Sequence, residues 1–144
     1  MSAKRFVDTN ILLYAKDSSE AEKQPIAEAL IRELWEARSG CLSIQVLNEY
    51  YVNATQKLEP GLTHAEAWAD LEALQAWEPA AITFDLLRRG FQIQSRYGLS
   101  WWDSLIVAAA VDSNCKEILS EDLAAGQVYD GVLAVNPFSG ARRS

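Results

Sequence analysis

The chain alternates between short apolar runs that read as strands and longer stretches with i, i+4 apolar spacing that read as helices. Residues 3–7 make an apolar step ending at Asp8, and Ile11, Leu12, Leu13, Tyr14 and Ala15 follow at once with helical composition. The reading is strand, tight turn, helix. Ile26, Leu30 and Leu34, and beside them Ala27, Ile31 and Trp35, recur at i, i+4, which predicts an amphipathic helix that Gly40 stops. Residues 41–44 form a second strand, followed by a helix to Gln56 with Leu47, Tyr50, Tyr51 and Ala54 on one side and Gln45, Glu49 and Asn53 as a polar row beside them. Pro60-Gly61 breaks the chain. Thr63-His64-Ala65-Glu66 has the form of a capping box opening a helix to about Trp77. A third strand is expected over residues 80–84 after Pro79, then a helix over 86–97 capped by Asp85 and ended by Gly98. Ser100 opens a further helix to about residue 113, and strands follow at 117–120 and 132–135. Alternating short strands and helices imply a single α/β domain over residues 1–144, three layers deep, with a central, mostly parallel sheet of about five strands flanked by helices.

Four acids interrupt or terminate apolar runs in this pattern: Asp8, Glu49, Asp103 in Trp101-Trp102-Asp103-Ser104, and Asp122 in Ser120-Glu121-Asp122-Leu123. Burying a carboxylate without a partner costs several kcal/mol, so acids set among Val, Leu, Tyr and Trp call for a compensating cation, of which a divalent metal is the simplest. In an open parallel sheet the functional crevice lies at the carboxyl ends of the strands, where strand order reverses. Asp8 ends the first strand and Asp122 follows the fourth. Glu49 lies within two turns of the helix leaving the second strand, and Asp103 in the first turn of the helix entering the fourth. This placement predicts that all four come within metal-ligand reach. Singly, each has a plainer role: Asp8 as a helix cap, Asp103 as the acid of a Ser-x-x-Asp capping box, Glu49 as a surface glutamate, Asp122 as a loop acid. Their joint order weighs the other way.

Composition narrows the chemistry. Hydrophobic residues make up 49% of the 144, with no apolar window long enough for a membrane span and no apolar signal-peptide core, so a cytoplasmic globular protein is expected. Cys41 and Cys115 have no CxxC spacing and read as buried thiols, and the single His64 reads as an exposed first-turn residue. That leaves little material for a zinc hydrolase or a Ser-His-Asp triad. A donor set of carboxylates alone suits Mg2+ or Mn2+. The net charge of −7 argues against a grip on nucleic acid through bulk electrostatics, unless Lys4, Arg5, Lys16, Arg88, Arg89, Arg96, Arg142 and Arg143 gather on one face. Core packing is the expected fate of Trp68, Trp77, Trp101 and Trp102, with an interface as the other use.

Phe6-Val7-Asp8-Thr9-Asn10-Ile11-Leu12-Leu13-Tyr14-Ala15 resembles the opening signature of PIN domains, and Leu42-Ser43-Ile44-Gln45-Val46-Leu47-Asn48-Glu49-Tyr50 resembles their second acidic segment. Residues 99–106 and 118–123 are similar to the third and fourth, in order, over nearly the whole chain. The resemblance implies Mg2+-dependent hydrolysis of single-stranded RNA, leaving a 5′-phosphate and a 3′-hydroxyl. It assigns Asp8, Asp103 and Asp122 mainly to metal and Glu49 to metal or to orienting water, and favours Asp122 over its neighbour Glu121. Thr9, Asn10 and Ser120 are then the hydrogen-bond partners that steady these carboxylates. Small chains of this kind resemble the toxins of VapBC toxin-antitoxin modules, which implies a cognate antitoxin, suited by a basic partner's charge, and a homodimer.

Other classes fit less well. A haloacid-dehalogenase-type phosphatase needs Asp-x-Asp where Asn10 stands, and a receiver domain needs paired acids before its first helix. No Gly-x-Gly-x-x-Gly or P-loop occurs. The closer alternatives are a PIN nuclease of RNA processing without a toxin role, and a non-catalytic PIN-like module binding RNA or protein.

Overall fold

The computed structural model describes residues 3–139. Five strands form one sheet: β1 (Arg5–Val7), β2 (Gly40–Cys41), β3 (Glu117–Leu119), β4 (Val128–Tyr129) and β5 (Val132–Val135). Their order is β2-β1-β3-β5-β4, parallel throughout except where β4 returns against β5. Six helices flank it: α1 (Thr9–Lys16), α2 (Lys23–Ala37), α3 (Ile44–Gln56), α4 (His64–Leu74), α5 (Phe84–Tyr97) and α6 (Trp101–Asp112). The expected α/β class and mostly parallel sheet are observed.

β1 is paired on both edges, so Phe6 and Val7 are fully buried, as a strand of a covered parallel sheet requires. α6 is buried continuously from Ser104 to Ala110, and its three alanines at 108, 109 and 110 let it lie close to the structure around it. Against it packs the amphipathic α5, which turns Leu86, Gly90 and Ile93 inward. At Gly90 an added Cβ would stand 2.7 Å from Leu105 Cδ2, so glycine sets the closeness of this helix pair.

Three expectations are corrected. Residues 80–84 do not form a strand: Ala80 makes one parallel bridge to Ser43, and then the Thr83 hydroxyl accepts from Leu86 N, so that Thr83 rather than Asp85 caps α5 and the helix begins at Phe84. Ile82 and Phe84 are exposed there, with no neighbouring strand to cover them. The second strand closes at Cys41 because Ser43 is already the N-cap of α3, accepting from Val46 N. The fifth strand is β4, joined to β5 by Asp130-Gly131, both at positive φ (46° and 89°), the two-residue hairpin that Asp-Gly favours.

The capping box of Thr63 and Glu66 is present in full at the start of α4, with His64 exposed beside it, and both cysteines are buried free thiols. Most of the described cations named above are paired with acids. Arg5 binds Glu33 and Glu117, Arg88 binds Asp85, Arg89 binds Asp112, Arg96 binds Asp130 and Lys16 lies by Asp70. Arg142 and Arg143 fall outside the described residues. Among the described helices none is long and apolar enough to cross a membrane.

Candidate active site

From β1 the chain crosses to β2 on one side, whereas from β3 it proceeds to β5 on the other. Strand order therefore reverses between β1 and β3, and the crevice outside their carboxyl ends is the place where such a sheet presents a site. Asp8 follows β1 directly and Ser120 to Asp122 follow β3. A cleft of ≈ 270 Å³ opens there, lined by Asp8, Thr9, Asn10, Leu13, Gln45, Glu49, Asn53, Trp102, Asp103, Ile106 and Asp122. All four acids singled out in the sequence line this one cleft. Of the residues expected to steady them, Thr9 and Asn10 also line it, and Ser120 lies directly behind Asp8.

Asp8 is the deepest, 5% exposed. It is the N-cap of α1, with Oδ1 accepting from Thr9 N at 2.7 Å, while Oδ2 accepts from the Ser120 hydroxyl at 2.7 Å. The plain capping role and the site role are thus held by the same side chain. Burial raises its pKa to about 6, the Ser120 and Thr9 hydrogen bonds pull it down, and the charges of Asp122 and Asp103 push it up. Asp103, half-buried in the first turn of α6, is also raised, first by burial, against the lowering hydrogen bond to Ser100 and with further raising from Asp122 and Glu49. Ser100 caps α6 by accepting from Asp103 N at 3.1 Å, as expected of that segment.

Glu49 enters from α3. Its Oε1 accepts from the Thr9 hydroxyl at 2.7 Å and its Oε2 from Gln45 Nε2 at 3.2 Å, while Asn53 Nδ2 donates to the Glu49 carbonyl at 2.9 Å. The polar row Gln45, Glu49, Asn53 thus faces the cleft as one strip. Gln45 also donates to the Trp102 carbonyl at 3.2 Å, tying α3 to the start of α6. Asp122, exposed at the rim, accepts from Asn10 Nδ2 at 3.0 Å, and Asn10 Oδ1 accepts from Glu121 N at 3.3 Å. The Glu121 side chain instead takes hydrogen bonds from Tyr14 and from Lys23, the latter at 2.6 Å. Of the neighbouring acids, Asp122 is the one that lines the cleft.

Among the described residues no three acidic, His or Cys side chains are close enough together to hold an ion as they stand. Thr9 and Gln45 hold Glu49, and Asn10 holds Asp122, through the hydrogen bonds described above. The donor set nevertheless suits a hard cation. Among the described residues every ionisable group lining the cleft is a carboxylate, with no Lys, Arg or His, and Asp8 is buried with hydrogen bonds but no described cation to offset its charge. Asp122 is exposed and Glu49 and Asp103 are only half-buried, so all three are open to the cleft.

Gln45, Asn53 and Trp102 line the cleft without having been assigned to it from sequence. For the first two the signal was present, since both stand one turn from Glu49 on α3. Trp102 and Trp68 are 62% and 56% exposed, so neither is packed in the core as expected.

The family model of the PIN domain matches residues 5–130. Among solved structures, a toxin-antitoxin complex from Klebsiella pneumoniae is similar at 20% identity and a TM-score of 0.66, the match covering 93% of this chain and 98% of that one. The Mycobacterium tuberculosis toxin VapC20, described as cleaving the sarcin-ricin loop, is similar at 20% identity and a TM-score of 0.61, with 83% and 92% covered. No curated protein matches in sequence. At this identity the likeness to the solved structures concerns the fold.

Proposed function

Because the chain belongs to the PIN-domain family, we propose that it is a divalent-metal-dependent endoribonuclease that hydrolyses single-stranded RNA and acts as the toxin of a toxin-antitoxin pair. The observation that carries the reading is the buried Asp8 carboxylate at the strand-order reversal, without a cationic partner among the described residues, in a cleft whose described ionisable lining consists of Glu49, Asp103 and Asp122 besides.

Asp8, Asp103 and Asp122 would hold Mg2+, with Mn2+ as a substitute. A cation held by these three carboxylates would supply Lewis-acid polarisation of the scissile phosphate and offset charge on the leaving oxygen. The chain's own residues do the positioning. Ser120 and Thr9 N fix both oxygens of Asp8, and Asn10 fixes Asp122. Carboxylates fixed in this way lose little orientational freedom on binding a cation. Glu49 has both oxygens engaged by Thr9 and Gln45 yet keeps lone pairs free, since each carboxylate oxygen can accept twice. It is the group suited to orient a water for in-line attack on phosphorus and to take its proton; the P–O3′ bond breaks as the new O–P bond forms, and the leaving 3′-oxygen takes a proton from solvent, giving a 5′-phosphate and a 3′-hydroxyl.

The toxin role is supported by the two solved structures, one a toxin-antitoxin complex and one a toxin that cleaves RNA. The net charge of −7 is complementary to a basic antitoxin, and a homodimer is part of the same proposal.

The test is cleavage of labelled single-stranded RNA by antitoxin-free protein in Mg2+, Mn2+ or EDTA, beside Asp8→Asn and Asp103→Asn. Metal-dependent cutting that both substitutions abolish is expected. Cutting that persists in EDTA or in both variants overturns the assignment, and absence of cutting across varied RNA pools points to a binding module.

A further inference from the structure

An acidic cleft that receives a polyanion must draw its affinity from something other than lining cations, because log K for nucleic acid scales with the number of phosphates neutralised by Lys and Arg. Among the described residues this cleft has none in its lining. What it offers besides carboxylates is three amides, Asn10, Gln45 and Asn53, the Thr9 hydroxyl, the aliphatic Leu13 and Ile106, and one large aromatic, Trp102. Trp102 is 62% exposed, an unfavourable state for an indole in the free protein, and it immediately precedes Asp103. Its neighbour Trp101 is partly buried and reaches the α5 and α6 contact at Gly90. The Trp102 backbone is held twice: it lies in the first turn of α6 that Ser100 caps, and its carbonyl takes the Gln45 hydrogen bond that also runs to Glu49. A rigid backbone beneath an exposed ring is the arrangement of a stacking platform, and every nucleobase has a π-face to stack.

Resting on the nuclease reading, we infer that Trp102 is a nucleobase-stacking subsite, which seats an unpaired base of the single-stranded substrate so that the adjoining phosphate lies over Asp103 and Asp8. Stacking of this kind is sequence-tolerant and is available only to a base free of a duplex, so the same residue would help set the preference for unpaired RNA.

The experiment compares wild type, Trp102→Ala, Trp102→Phe and the control Trp68→Ala, whose exposed indole on α4 lies outside the cleft. Steady-state cleavage of labelled oligoadenylate in Mn2+ gives KM and kcat. Fluorescence anisotropy in an Asp8→Asn background gives Kd for the same probe and for probes carrying one abasic position. Trp102→Ala is expected to raise KM and Kd about 10-fold, the scale of one lost base-aromatic stack, with kcat changed less than about 2-fold. Trp102→Phe should recover most of the affinity and Trp68→Ala should match wild type. One abasic position should weaken wild type as much as Trp102→Ala does and should not weaken that variant further, the mark of a shared contact. Equal KM and Kd for Trp102→Ala and wild type overturn the inference while leaving the nuclease standing. A fall in oligomeric state by sedimentation, with RNA affinity intact, assigns the ring to a protein interface instead. If the wild type neither binds nor cuts RNA, the nuclease reading falls and the subsite with it.

Discussion

Replacing Asp8 by Asn should stabilise the metal-free protein at neutral pH while abolishing its activity. Burial lifts the Asp8 carboxyl from 3.8 to about 6. A rise of roughly two pH units at ~1.4 kcal/mol each means that the ionised form costs the folded state about 3 kcal/mol. Between the two pKa values the native state binds more protons than the unfolded state, so stability falls as pH rises from about 4 through about 6 and then levels off. Asn cannot ionise and loses that dependence. Its amide can keep one oxygen as an acceptor for Thr9 N, and the Ser120 hydroxyl can turn to accept from the amide NH2. Allowing for imperfect replacement, Asp8→Asn should be more stable than wild type by about 1–3 kcal/mol at pH 7.5 in EDTA, with a gain near zero at pH 4.5. The assay is urea unfolding of both proteins in EDTA across pH 4.5–7.5, followed by the same series in Mn2+. The difference between the two proteins isolates Asp8 from the remaining acids, including Asp103, whose raised pKa contributes with the same sign, and Glu66, whose lowered pKa contributes with the opposite one. Mn2+ should narrow or reverse the gap at pH 7.5, because it stabilises only the form that keeps the carboxylate. A variant less stable than wild type at pH 7.5 in EDTA, by the same margin at pH 4.5, would refute the view that Asp8 is a buried charge awaiting a cation.

Two further outcomes follow from single contacts. Asn10→Ala removes both the donor that fixes Asp122 and the acceptor of Glu121 N, and should raise the Mn2+ concentration needed for half-maximal thermal stabilisation by about 10-fold or more; an unchanged midpoint would show that Asn10 does not orient the site. Gly40→Ala drives a Cβ to 2.5 Å from the Trp77 ring at the β2 edge, and should cost about 1–3 kcal/mol in urea unfolding without changing the Mn2+ midpoint.

The elements closest to the site were the most legible. Asp8 directly follows strand β1 and caps helix α1, so the strand-turn-helix reading and the buried acid came from one local pattern. The same holds for Ser100 and Asp103, where a helix N-cap accepts from the backbone of a site residue, and for Gln45, Glu49 and Asn53, whose spacing puts them on one strip of α3. Reading failed where competing local signals were close in strength. Over residues 80–84 β-branched and aromatic residues suggested a strand, but the Thr83 cap took the backbone into α5. Around residue 130 the Asp-Gly hairpin signal was in the sequence, flanked by Val128-Tyr129 and Val132, but strand β4 is too short for its own periodicity to announce it.

What the amino-acid order determined by itself was the local grammar: the caps, the amphipathic stripes, and four acids placed at the ends of apolar runs. These depend on contacts within a turn or two, which adjacent residues dictate. Only the tertiary structure decided how those acids are held. The 2.7 Å contact from Ser120 to Asp8 spans 112 residues, as does the Asn10 to Asp122 bond, and both exist because β1 and β3 pair in parallel register. That pairing also decides that Asp8 is buried while Asp122 is exposed, that Glu121 turns to Tyr14 and Lys23 while Asp122 lines the cleft, and that of two adjacent tryptophans one packs partly inward and the other stands open at its wall. Burial and charge proximity are sums over neighbours distant in sequence, and strand pairing and helix packing supply those neighbours.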